Sequence, residues 1–237
     1  MINVRRAGGF TLVELLMALV VGGLLMSSVY LMMISGQQSS TGVERKVAAQ
    51  QDVRAALDIM AMEVEMASYN PFFALPSQIW VNPTTCTGAS ANPQYKGIQV
   101  AGPMGITVEM DIVENGNIKS ADANEIIAYV YDIPSQTITR SVNCGNADPF
   151  LGGGATAVAG TKTVNVLNSG NGVSPIFRYY NSAGTELHPE TTPADYPNIR
   201  RIDIALTVQT EEIDPLTRAN RQMIYSTSVF VRNHVLN

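Results

Sequence analysis

The chain reads as an α+β protein in which a long N-terminal helix, membrane-spanning in its first half and amphipathic in its second, packs on an antiparallel β-sheet body. Three observations predict this. Residues 10–34, FTLVELLMALVVGGLLMSSVYLMMI, are almost wholly apolar, with Glu14 as the single charge. Residues 36–70 then carry apolar or small side chains at spacings of mostly three and four. From residue 125 onward, strand-length runs separated by turn residues take over, one of them in strict period-two alternation. With 46% hydrophobic and 15% charged residues, the 237-residue chain fits one mid-sized body plus an appended segment, and neither a disordered nor a collagen-like chain. Its net charge of −5 argues against nucleic acid as a partner.

As a helix, residues 10–34 rise roughly 37 Å, enough to cross a bilayer. Arg5 and Arg6 precede them and would hold that end in the cytoplasm, leaving the body outside. An ordinary secretory signal has a shorter apolar core followed by a small-x-small cleavage site, and no such site follows here. A plain signal anchor would leave Glu14 without a purpose, because a carboxylate in an apolar span costs about 2.5–3.5 kcal/mol on insertion scales.

The second half of the helix places Val43, Val47, Val53, Leu57, Met60, Val64 and Ala67 on one stripe. Its charges, Glu63 and Glu65 among them, are expected on solvated faces. Asn70-Pro71 is expected to end a single helix running from about 10 to 69. Within residues 71–124, Ile98–Val100 and Ile106–Met110 suggest strands between loops. EIIAYVYDI and TITRSV read as a hairpin, and IFRYYNSAGTEL as a strand entering a turn at Asn181–Gly184. RRIDIALTVQT alternates cleanly, with MIYSTSVFVRN as its antiparallel partner across a loop at Asp214-Pro215. The glycine-rich stretch 145–174 reads as a long surface insertion.

The octapeptide Gly9-Phe10-Thr11-Leu12-Val13-Glu14-Leu15-Leu16 resembles the type IV prepilin signature, shared by pilins and type II secretion pseudopilins. The resemblance implies a leader at 1–9, a transmembrane and filament-core helix at 10–35, its amphipathic continuation at 36–70 and a β body at 71–237. It further implies that a prepilin peptidase cuts after Gly9 and N-methylates Phe10, while Glu14 pairs with the new terminal amine of a neighbouring subunit and sets the axial register. Losing Arg5 and Arg6 leaves 13 basic against 20 acidic side chains, −7 formally. LDIMAMEVEMASY, IFRYYNSAGTEL, RRIDIALTVQT with DPLTRANR, and STSVFVRN look like PilW-type minor pilins, which are similar to the J-type pseudopilins of type II secretion. The implied role is to initiate or tip a type IV pilus. The implied partners are other minor and major pilins, the peptidase, the inner-membrane assembly platform and, before assembly, lipid. The alternatives are a J-type pseudopilin and a signal-anchored extracytoplasmic binding domain.

Catalytic chemistry is not expected. His188 and His234 lack spaced partners and read as surface or cap residues; there is no nucleophile elbow or phosphate loop, and no cofactor or metal is anticipated. Asp111, Glu114, Asp122, Asp132, Asp195, Asp203 and Asp214 are scattered carboxylates read as solvating, with calcium left open. Arg200, Arg201, Arg218 and Arg221 read as strand-end and loop charges, and Trp80 with Phe72-Phe73 as core. Cys86 and Cys144, on the oxidising side of the membrane, are expected to form a disulfide closing a loop of roughly 58 residues, worth about 4 kcal/mol on the chain-entropy account.

Overall fold

The computed structural model describes residues 9–80, 92–118, 122–153, 164–169, 174–210, 213 and 218–236. Helix α1 runs unbroken from Leu12 to Glu65. The run of good helix formers carries it through Gly22-Gly23, where Ser27 Oγ donates to Gly23 O at 2.8 Å and Ser28 Oγ to Leu25 O at 2.7 Å. Its apolar first half is exposed and is long and apolar enough to cross a membrane. Burial starts at Ala49 and continues through Val53, Ala56, Leu57, Met60 and Val64, one stripe at helical spacing. Val43 and Val47, expected on that stripe, are 59% and 43% exposed, because the helix reaches beyond the body there.

The helix ends at Glu65, four residues before the expected stop. Ser68 turns into the left-handed region at φ 66°, and its N–H donates to Glu109 O at 2.8 Å, so a sheet carbonyl replaces the next helical one. This close approach is why Gly97 carries no side chain: a Cβ there would lie 2.4 Å from Ser68 N and 2.5 Å from Glu109 O.

The body divides into two sheets. The first is an antiparallel meander of β1 (Ile98–Ala101), β2 (Gly105–Glu109), β3 (Ile126–Asp132), β4 (Thr137–Val142) and β5 (Asp148–Gly152), in that spatial order. The second contains β6 (Val164–Val166), β7 (Phe177–Tyr180), β8 (Glu186–Leu187), β9 (Arg201–Thr210) and β10 (Gln222–Phe230). Its order is β10-β9-β7-β8, with β6 also pairing β9. Strand β9 buries Ile202, Ile204, Leu206 and Val208 as its alternation requires. It pairs β10 along its length, from Arg201↔Phe230 to Gln209↔Gln222.

The stretch 145–174 is not simply a surface insertion. It supplies β5 and β6, with Val164 and Val166 fully buried, and it joins the sheets: Val166 N donates to Gln136 O at 3.1 Å and Tyr131 Oη to Val166 O at 2.7 Å. Of the aromatics expected inside, Trp80 is buried beside the short helix α2 (Pro76–Ile79), in a satellite cluster with Ile79, Ile118 and Ile126. Phe72 and Phe73 are instead 61% and 70% exposed. The Asn70 side chain bridges to Ala74 N and O, which folds the intervening residues outward as a tight turn. Cys86 and the Asp214-Pro215 loop lie outside the described residues.

Candidate functional site

Phe10 is 91% exposed just ahead of the first helical turn. Thr11, in extended conformation at φ −75° and ψ 151°, is the N-cap of α1, and Glu14 closes a reciprocal capping box with it. Glu14 N donates to Thr11 Oγ1 at 3.3 Å, while Glu14 Oε2 accepts from Thr11 N at 2.9 Å and from Thr11 Oγ1 at 3.0 Å. Among the described residues Glu14 Oε1 has no hydrogen-bond partner. The motif Thr-x-x-Glu is present in the sequence, and it gives Glu14 a local role in starting the helix. Beyond it, Leu12, Val13, Leu15, Leu16, Met17 and Leu19 are each more than half exposed, so the charge sits at the tip of an uncovered apolar rod.

The other sequence-predicted positions form separate local contacts and do not converge on one site. His188 is exposed in a loop, and its N–H donates to Asp195 Oδ2 at 3.1 Å. Asp111 is fully buried rather than solvating: its carboxylate caps the following loop, accepting Asn115 N at 3.0 Å and Gly116 N at 2.8 Å. Glu114 accepts from the Tyr69 hydroxyl, Asp122 from Asn115 and Asp132 from Ser135 N. Arg201 lies 3.1 Å from Asp203 with its guanidinium 4.1 Å above the Tyr180 ring, and Arg200 donates to Pro197 O and Ile199 O. These are structural contacts at the end of β9. No cluster of three or more metal-ligating side chains occurs among the described residues.

Two buried groups, His234 and Glu109, and the largely enclosed Glu63 were not legible in the sequence. Glu63, expected on a wet face, accepts a two-pronged guanidinium from Arg140, with Nε–Oε2 at 3.1 Å and Nη2–Oε1 at 2.5 Å, and also the Tyr129 hydroxyl. This pins α1 to β3 and β4. His234 is fully buried, not a surface residue, because the C-terminal helix α3 (Asn233–Leu236) tucks it under the end of α1. Its Nε2 lies 2.8 Å from Tyr196 O, which only accepts, so Nε2 carries the proton and Nδ1 accepts from Ser68 Oγ at 2.7 Å. Gly97 N donates to the same Ser68 Oγ at 3.0 Å. Burial, with Lys96 and Arg200 nearby, depresses the imidazole to about 4. Glu109 is fully buried on β2; burial raises its carboxyl to about 8, and Gln99 Nε2 donates to Oε2 at 3.1 Å.

Buried groups with opposite shifts predict an unusual pH profile. Glu109 binds more protons folded than unfolded between about 4.5 and 8, so its contribution is lost as pH rises through that window. His234 binds fewer protons folded between about 4 and 6.5, so its contribution is lost as pH falls through that one. The slopes cancel where the windows overlap. Thermal melts are expected to be flat from pH 4.5 to 6.5 and to lose about 2 kcal/mol by pH 8. Glu109→Gln should abolish the alkaline loss and expose the acid one; an unchanged alkaline loss in that variant would place its origin elsewhere.

Residues 4–30 match the family described as Prokaryotic N-terminal methylation motif. No curated protein and no solved structure matches the chain. The motif implies processing by a prepilin peptidase and assembly with other pilins, and with the apolar helix it fits membrane anchoring followed by display on a pilus. A prepilin-type motif at the head of an uncovered apolar helix that continues into an antiparallel β body supports a type IV pilin-like protein.

Proposed function

We propose that the chain is a minor type IV pilin, similar to the PilW type, that is cut after Gly9 and joins other minor pilins to initiate or tip a pilus. Its role is assembly, not catalysis. The carrying observation is the exposed apolar half of α1 with Glu14 in its first turn, Oε1 open to a neighbour. Apolar side chains of that kind are covered either by lipid or by the same helices of other subunits. The terminal amine of an adjacent subunit would neutralise Glu14 and select one axial register.

Cys86 and Cys144 are proposed to form a disulfide tying the chain between α2 and β1 to the turn after β4. Among the described residues no cysteine is free, and the chain holds only these two.

Mass spectrometry of the N-terminal peptide, taken from sheared surface fibres and from the remaining envelope, tests the assignment. A peptide beginning at N-methylated Phe10 is expected in the fibre fraction at low stoichiometry. The processed form confined to the envelope would favour a pseudopilin, and an intact chain retaining Arg5 and Arg6 in both fractions would overturn the reading.

A further inference from the structure

Strand β10 ends one side of the second sheet and, among the described residues, pairs with β9 alone. Thr210 N donates to Arg221 O and Val231 N to Arg200 O, so odd-numbered residues of β10 bond to β9. The N–H and C=O groups of Ile224, Ser226 and Ser228 therefore face outward, and those residues are exposed, Ile224 by 74%. Native sheets blunt such edges with prolines, charges, bulges or covering chain. The other edges here comply: β5 carries Pro149 and a register shift, β8 has two residues, and Ala101 N on β1 donates to the Tyr196 hydroxyl. Strand β10, QMIYSTSVF, has nine residues with neither charge nor proline. Beside it a groove of about 370 Å³ runs along α1, lined by Asp58, Met62, Glu65, Thr227, Phe230 and Arg232. Met62 and Phe230 are 61% and 58% exposed.

We propose that this edge is completed by a β-strand of a different protein, a proline-free extended segment with basic side chains reaching Asp58 and Glu65. The unpaired backbone row specifies a strand, since a helix has no free groups to offer it. Two carboxylates against one guanidinium favour a basic partner. Antiparallel pairing of β10 with a second copy is excluded on the pilin-like reading. Its twofold axis would stand perpendicular to the sheet and reverse the in-plane direction of α1, pointing two identical anchors into opposite membranes.

The test is residue-resolved deuterium exchange on the full chain in detergent, with a synthetic nine-residue peptide alternating threonine and valine and ending in two lysines. The expected result is at least about tenfold slower exchange at the Ile224, Ser226 and Ser228 amides, weaker with a glutamate-ended peptide. Ser226→Pro removes an outward N–H and no bond to β9, and should abolish the protection. Glu65→Lys lies on a solvated helix face, leaves the sheet intact and should weaken binding of the lysine peptide. No protection, or protection unchanged by these variants, would overturn the proposal. So would protection that appears without peptide as protein concentration rises, the mark of a second copy. The state of the N-terminus is read independently by mass spectrometry, so failure here and failure of the pilin reading are separable.

Discussion

Glu14→Ala is expected to remove the protein from surface fibres while leaving its membrane insertion and the melting of its body unchanged. The side chain is exposed at the far end of α1 from the first buried residue, Ala49, so the body cannot register the substitution. Deleting a carboxylate that costs about 2.5–3.5 kcal/mol in an apolar span does not hinder insertion, but on the proposed pairing it would leave the neighbour's amine without its counter-charge, a loss of roughly a hundredfold in incorporation. The capping box supplies the discriminating control. Glutamine at the same position can still bond Thr11 N, so Glu14→Gln preserves the cap and removes only the charge. If Glu14 serves only to start the helix, Glu14→Gln will incorporate normally. If it pairs with a neighbour's amine, Glu14→Gln will fail as Glu14→Ala does. Quantitative mass spectrometry of fibre and envelope fractions reads both.

Glu63→Ala is expected to be the most damaging single change to the polar contacts of the body. Removing the carboxylate leaves the Arg140 guanidinium and the Tyr129 hydroxyl without their partner at a place where the Glu63 side chain is 13% and Arg140 26% exposed. A buried pair broken on one side costs about 3–5 kcal/mol; the residual solvent access here brings that to about 2–3 kcal/mol, or roughly 5–10 °C in melting temperature. Arg140 should in turn be less costly to lose once Glu63 is gone. The double variant Glu63→Ala with Arg140→Ala is therefore expected to lie within about 1 kcal/mol of Glu63→Ala alone, and strict additivity in that cycle would show the two side chains to be uncoupled.

Local pattern carried much of the molecule. The apolar run, the octapeptide from Gly9 to Leu16, the alternation of β9 and the hairpin of β3 and β4 are all short-range features, and each sits where its periodicity placed it. What escaped depended on residues far apart in the chain. The helix stop moved to Glu65 because Ser68 meets the Glu109 carbonyl, a contact no local signal encodes. Glycine-rich composition hid β5 and β6, whose burial depends on the opposite sheet. Phe72-Phe73 read as core from hydrophobicity alone, whereas the Asn70 turn faces them outward.

By itself the sequence determined the processing signature, the membrane-length helix with Glu14 at its head and the α+β class, because hydrophobic length, period and a contiguous motif are properties of neighbouring residues. Only the tertiary structure decided that Glu109 and His234 are buried and Glu63 largely enclosed, that the body is two sheets, and that β10 has, among the described residues, an open backbone edge. A polar side chain becomes a buried pair, or a strand becomes an edge, through the identity of its neighbours in space. Those neighbours are chosen when the whole chain closes, with 66 positions separating Tyr129 from Glu63 and 166 separating His234 from Ser68.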